Sequence, residues 1–80
     1  MNLIETSIKG AFVIENKFYG DERGFFSCMF SEADFKKHNL QTTWTQVNNS
    51  YSKYKGTLRG LHFQYPPFSQ TKLIRVIKGK

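Results

Sequence analysis

The residues best suited to chemistry lie in the second half of the sequence, around a single histidine. Arg59 stands three residues before His62, and Lys72 stands ten residues after it. A histidine can take and give a proton near neutral pH, and the two cations can hold anionic oxygens. Taken singly, each of these three residues has an explanation that needs no chemistry. A lone histidine in a strand is more often structural, and cations on a strand are usually solvated.

These residues need strands to position them, and the sequence pattern supplies candidates. Thr57–Gln64 is predicted to be the strand that carries His62, and Pro66 and Pro67 require a loop after it. Thr71–Gly79 places apolar residues on two alternating faces, which predicts that this segment is a strand and that it carries Lys72. Alternation and turn residues predict further elements upstream: strands at Ile4–Thr6, Ala11–Phe18, Gly24–Phe30 and Thr42–Ser52, and turns at Tyr19–Gly24 and Lys53–Gly56.

One short helix is predicted between these strands. Ser31 is a good N-cap, Asp34 lies at the capping-box distance, and Phe35 offers a contact to the core. The helix is expected to end near Asn39. Several short strands with one helix favour a mainly β chain, built as an antiparallel barrel or sandwich.

Composition narrows the class of protein. The chain has 80 residues and a net charge of +6, which favours an anionic partner. Aromatic residues make up 16%, too large an apolar content for a disordered segment. The single Cys28 excludes an internal disulfide and a cysteine-based zinc motif, and it fits the reducing cytoplasm. Because no apolar run approaches the roughly 18 residues of a membrane span, no contact with a membrane is expected.

The spacing of Gly56, His62, Gln64, Lys72 and Gly79 resembles the first motif of the cupin superfamily, in which two histidines and a glutamate bind a metal. Here Gln64 stands at the second histidine position and Lys72 at the glutamate position. An ammonium group has no lone pair and repels a divalent cation. The sequence therefore predicts a cupin-type jelly-roll strand pattern with no metal and no other cofactor.

A narrower resemblance covers nearly the whole chain. LRGLHFQ (58–64), QTKLIRVIKG (70–79), GDERGFF (20–26) and TQVNNSYS (45–52) resemble four motifs of the dTDP-4-dehydrorhamnose 3,5-epimerase family, in the order of the family. Members of this family are metal-free cupins that invert carbons next to the ketone of a nucleotide-linked 4-keto-6-deoxy sugar.

The resemblance implies a role for each matching residue. His62 would remove the proton next to the ketone, and Lys72 would stabilise the enolate oxygen. The arginines would face carbonyl or diphosphate oxygens, and one phenylalanine would stack on the nucleotide base. The implied substrate contacts are Arg23, Phe26, Gln46, Asn48, Arg59 and Lys72.

The chain also departs from the family. The family usually has a glutamate where Cys28 stands, which puts nucleotide specificity in question. Residues 1–80 resemble only the N-terminal half of a member, as one partial domain. The tyrosine acid and the carboxylate that orients the histidine come later in the family. The 80-residue chain is therefore expected to be inactive alone and to assemble with another copy, since the family forms homodimers.

Alternatives to this reading stay open. A related 3-epimerase or ketoisomerase shares the same motifs. A short, basic, aromatic-rich β domain could instead bind single-stranded nucleic acid by stacking bases on its rings, or the chain could serve only to oligomerise. An imidazole between Arg59 and Lys72 argues against nucleic acid as a partner, because stacking requires no histidine at the centre of a strand.

Overall fold

The structure is a computed structural model that describes all 80 residues. The chain divides into two units, Met1–Trp44 and Thr45–Lys80. All regular secondary structure belongs to the first unit. Its elements are β1 (Asn2–Glu5), β2 (Phe12–Glu15), β3 (Tyr19–Asp21), β4 (Gly24–Phe26) and α1 (Glu32–Lys37).

The first two strands form an antiparallel hairpin. Leu3 pairs with Ile14, and these two residues are half-buried while their neighbours along the strands are exposed. The Thr6 hydroxyl closes the connection by donating to the carbonyl of Ala11 at 2.8 Å. The two predicted strands, Ile4–Thr6 and Ala11–Phe18, are confirmed as strands with different bounds, since β1 begins two residues earlier and β2 ends three residues earlier than predicted.

The second hairpin, β3 with β4, carries the GDERGFF motif. Tyr19 pairs with Phe26 and Asp21 pairs with Gly24, which leaves a two-residue turn at Glu22 and Arg23. The predicted turn at Tyr19–Gly24 is therefore too long, since its first three residues form β3. The predicted strand Gly24–Phe30 is also shortened and ends at Phe26, beyond which no β3 residue remains to accept hydrogen bonds.

The helix is capped as the sequence predicts. The Ser31 hydroxyl accepts a hydrogen bond from the amide of Asp34 at 3.4 Å. At the other end Asn39 adopts a positive φ of 58°, and the Leu40 amide donates to the carbonyl of Phe35 at 2.8 Å. These bonds satisfy groups that a helix end would otherwise leave unpaired.

The core of the first unit lies under the helix. Phe35 is 2% exposed and is the only fully buried large side chain. Its ring meets the edge of Phe30 at a centroid distance of 4.7 Å, and Phe30 meets Trp44 at 6.4 Å. These three rings form an aromatic cluster that holds α1 against the segments before and after it.

No strand or helix follows α1, so the second unit has neither, and the three strands predicted at Thr42–Ser52, Thr57–Gln64 and Thr71–Gly79 are wrong for this structure. A strand exists only where a neighbouring segment accepts its backbone hydrogen bonds. The hydrogen bonds between backbone groups in this unit close two turns, Thr57 to Tyr54 at 3.3 Å and Phe68 to Tyr65 at 2.8 Å. These turns coincide with the predicted turn Lys53–Gly56 and the predicted Pro66–Pro67 loop.

The regular structure is thus mainly β with one short helix, as expected. Its small antiparallel sheets are consistent with part of a cupin-like fold. The six-residue helix is far too short to cross a bilayer, and no other helix exists that could do so.

Candidate functional site

The best-defined polar arrangement among the candidate residues is the tip of the β3–β4 hairpin. Asp21 Oδ1 accepts a hydrogen bond from the backbone amide of Arg23 at 2.8 Å. The same carboxylate accepts from the Arg23 side chain, with Nε 3.2 Å and Nη2 2.7 Å from Oδ2. An aspartate that bonds to the amide two residues later is typical of a turn, and the paired side-chain contacts are typical of arginine with carboxylate.

This ion pair determines the electrostatics of the hairpin tip. The side-chain hydrogen bond from Arg23, followed by its backbone amide, lowers the pKa of Asp21 from its ordinary value of 3.8. The same side-chain bond raises the pKa of Arg23. Both groups are therefore charged throughout the neutral range. Because the Arg23 side chain is 87% exposed, its charge is available to an anion in solution.

Aromatic side chains surround the hairpin and face solvent. Phe26 is exposed beside the turn, and an open depression there is lined by Tyr19, Asp21, Arg23, Gly24, Phe25 and Phe26. Phe18 meets Phe25 edge-on at 5.0 Å, and the Lys17 ammonium lies 5.1 Å from the centre of the Tyr19 ring. An exposed ring next to an arginine can stack a flat base while the cation meets a phosphate.

His62 belongs to the second unit and lies on an irregular, exposed segment, so its predicted position in a strand is wrong for this structure. The backbone of Gly60 approaches its ring closely. A Cβ placed on Gly60 would lie 3.2 Å from His62 Nδ1, and Gly60 has a φ of +105° that favours glycine. No role was predicted from the sequence for Gly60, although this glycine stands two residues before His62.

The other candidate residues of the second unit are also exposed. Arg59 donates from Nη2 to the carbonyl of Tyr51 at 2.7 Å. Asn48 Nδ2 donates to Gln46 Oε1 at 3.5 Å, at the limit of a hydrogen bond. Lys72 makes no ion pair. The structure therefore brings Gln46 and Asn48 together, and it leaves His62, Arg59 and Lys72 without hydrogen bonds to one another.

Asp21 is the functional candidate that sequence reasoning missed. The GDERGFF motif was recognised, but only Arg23 and Phe26 received roles. The available signal was an aspartate two residues before an arginine, in a turn between two strands. This spacing lets one carboxylate bond both the amide and the side chain of the arginine. No three acidic, histidine or cysteine side chains come together in a way that could bind a metal.

Comparison with known proteins gives a consistent result. Residues 5–80 match the family model described as dTDP-4-dehydrorhamnose 3,5-epimerase. A protein of that name from Methanothermobacter thermautotrophicus is 48% identical over 77 residues, which cover 96% of this chain and 40% of the relative. One from Shigella flexneri is 42% identical over 81 residues, covering 100% of this chain and 44% of the relative.

A further relative of the same name, from Escherichia coli strain K12, is 41% identical over 81 residues and covers 99% of this chain. The match spans 43% of that relative, so the chain corresponds to about two fifths of the length of the curated proteins it resembles. No solved structure gives a match.

Proposed function

We propose a function from one premise: the chain belongs to the dTDP-4-dehydrorhamnose 3,5-epimerase family, which the match over residues 5–80 establishes. The proposed activity is epimerisation of a nucleotide-linked 4-keto-6-deoxy sugar at carbon next to the ketone. The family match is the observation that carries this proposal, since it covers nearly the whole chain and agrees with relatives up to 48% identical.

In the proposed mechanism His62 is the proton acceptor. Its imidazole takes the proton from the carbon next to the ketone, and the C–H electron pair forms the enolate while negative charge moves to the carbonyl oxygen. Lys72 donates a hydrogen bond to that oxygen and stabilises the charge. A proton then returns to the opposite face of the carbon from an acid that the family resemblance places beyond residue 80. The step needs no redox partner, because a proton leaves the carbon and a proton returns to it while the electron pair stays on the substrate.

Substrate binding is assigned to the remaining candidate residues. The substrate carries a diphosphate, and arginine presents a planar set of donors that suits such oxygens. We therefore assign Arg23 and Arg59 to oxyanions, Phe26 to stacking on the base, and Gln46 and Asn48 to neutral hydrogen bonds. The exposure of Arg23 and Phe26 on one hairpin supports their joint role.

The 80-residue chain alone is proposed to bind nucleotide but not to turn over substrate. Proton removal from carbon requires a rigidly placed base, and His62 lies on an exposed segment without regular structure. A neighbouring set of strands would supply that rigidity. We further propose that the complete enzyme is cytoplasmic and forms a homodimer. Light scattering would measure the molar mass and therefore the oligomeric state.

Isothermal calorimetry tests the substrate class against the nucleic-acid alternative. The chain is titrated with dTDP and, separately, with a single-stranded oligothymidine. We expect a preference for dTDP, which a preference for the oligonucleotide with a steep dependence on salt would overturn.

A matched pair of variants tests the site. Arg59→Gln removes a charge at a residue assigned to the diphosphate, and Lys55→Gln removes one positive charge in a turn outside the proposed site. Loss of a hydrogen bond to a charged group costs about 1.5–3 kcal/mol, so Arg59→Gln is expected to weaken dTDP binding at least about tenfold. Lys55→Gln should change it little. Equal losses in both variants would contradict a defined site.

A further inference from the structure

The Asp21–Arg23 pair uses only part of the arginine. The guanidinium group carries five N–H donors. Asp21 engages the edge formed by Nε and Nη2, with contacts of 3.2 and 2.7 Å to Oδ2 and 3.3 Å from Nε to Oδ1. Both N–H groups of Nη1 and the second N–H of Nη2 make no hydrogen bond. A second edge of the same planar group therefore remains open to another oxyanion.

The pairing also fixes the direction of that open edge. Asp21 lies at the end of β3, and its Oδ1 accepts the Arg23 amide at 2.8 Å. One carboxylate thus joins the backbone of the turn to the tip of the arginine side chain. A long side chain that is 87% exposed would otherwise sample many rotamers. Ordering before binding leaves less entropy to be lost when the anion arrives.

We propose that Asp21 is a positioning residue, which holds Arg23 so that its open Nη1–Nη2 edge meets a diphosphate oxygen of the ligand. This inference deepens the proposed function and rests on its assignment of Arg23 to an oxyanion. Asp21 itself does not touch the ligand, because its carboxylate repels phosphate and is already occupied by Arg23.

The opposite role for Asp21 is a competitor that must release Arg23 before an anion binds. The two roles predict opposite signs. A positioning carboxylate strengthens anion binding, whereas a competing carboxylate weakens it. Removal of the charge at Asp21 therefore decides between them, provided that a control accounts for the general gain of positive charge.

Asp21→Asn is the test variant and Glu22→Gln is its control. Asparagine keeps an oxygen that can accept the Arg23 amide, so the turn is retained, but it loses the charge that binds the guanidinium. Glu22 lies in the same turn, makes no ion pair, and its replacement changes the net charge by the same amount. Asp21→Glu restores the charge and should recover part of any loss.

Two measurements are made on each chain. The first is ¹⁵N relaxation of the Arg23 Nε–H group in the free protein, which reports the order of the side chain. The second is the Kd for dTDP by calorimetry. We expect Asp21→Asn to lower the order of Nε–H and to weaken binding about fivefold, the effect of one net hydrogen bond. Glu22→Gln should leave the order unchanged and bind dTDP as tightly as the parent or slightly more tightly.

Unchanged Arg23 order in Asp21→Asn would overturn the inference, and so would equal or tighter dTDP binding in that variant. In either case the proposed function would stand, because the parent chain still binds dTDP. Failure of the parent chain to bind dTDP would overturn the proposed assignment of Arg23 and this inference together. The two failures are thus distinguished by the parent chain alone.

Discussion

Replacement of Phe35 by alanine is expected to unfold the first unit. Phe35 is the only fully buried large side chain there, and its ring makes an edge contact with Phe30 at 4.7 Å. Phe35 also lies in the last turn of α1, where its backbone carbonyl accepts a hydrogen bond from the Leu40 amide. Truncation would remove the main apolar contact between a six-residue helix and the rest of the unit.

The size of the expected loss of stability follows from the burial of Phe35. Truncation of a buried phenylalanine to alanine costs about 3–5 kcal/mol in protein cores. A short helix can partly collapse into the space left behind, so we expect a value near the lower end, about 3 kcal/mol. Whole domains are stable by only about 5–15 kcal/mol, and small ones have the least to lose. A loss of this size therefore removes most or all of the stability of the unit.

Trp44 provides the assay, since it is the only tryptophan and belongs to the aromatic cluster with Phe30 and Phe35. Urea unfolding is followed by its fluorescence. The matched control is Phe68→Ala, which makes the same chemical change at a side chain that is 72% exposed. Surface substitutions usually change stability by less than about 0.5 kcal/mol, so the control should unfold at nearly the parent urea concentration.

A Phe35→Ala chain that unfolds at the parent midpoint would refute the reasoning. It would mean that the aromatic cluster does not hold the unit together. A loss in Phe68→Ala as large as that in Phe35→Ala would refute it too, because side-chain burial would then fail to predict stability.

Two further predictions concern local structure. Ser31→Ala should lower helix stability by about 1 kcal/mol, because it removes the acceptor for the Asp34 amide; circular dichroism at 222 nm should detect this, and Ser31→Thr should not show it. The Arg23 Nε chemical shift should change only in acid. Because Arg23 lowers the pKa of Asp21 from 3.8, the ion pair is complete above that pH and is lost as pH falls through the lowered value. A transition above pH 3.8 would contradict this.

Local signals in the sequence predicted the helix and the β1–β2 strands of the first unit, although β3 was predicted as part of a turn and β4 is shorter than predicted. The helix depends on a cap, a buried phenylalanine and a left-handed residue at Asn39, all within nine residues of one another. The β1–β2 and β3–β4 hairpins join segments that are adjacent in sequence. Such contacts need no distant partner, so the pattern of a short segment is enough to indicate them.

The second unit shows where this reasoning stops. Thr71–Gly79 has a clear alternation of apolar residues, yet it forms no strand. Alternation shows that a segment is suited to a sheet, but the sheet itself requires a partner to bond with. The pattern of one segment does not show which other segment will pair with it. The same limit explains why His62 was expected at a strand position and is found on an exposed segment.

The motifs predicted the residues of the candidate site but did not predict the contacts between them. The type and order of Arg23, His62 and Lys72 carried the resemblance to the epimerase family, and the family match agrees. The bonds from Asp21 to Arg23 depend on the exact turn between β3 and β4. The spacing of Asp21 and Arg23 in the sequence was an available signal, but a shift of one residue in the strand register would change the turn that brings the two side chains together.

Solvent exchange of the sugar protons tests the central claim, that His62 is the proton acceptor of a sugar-nucleotide epimerase. Residues 1–80 are fused to the C-terminal remainder of the relative that is 48% identical, and the 4-keto-6-deoxy sugar nucleotide is followed by NMR in heavy water. We expect the fusion to exchange the protons next to the ketone, and the 80-residue chain alone to exchange them no faster than buffer.

In the same fusion His62→Ala should slow the exchange by about 10²–10⁴-fold, the usual contribution of a general base, while dTDP binding is retained. The matched control is His38→Ala, which removes the other histidine, at the C-cap of α1, and should leave the rate near that of the parent. Exchange at the parent rate in His62→Ala would contradict the account and return His62 to a structural role.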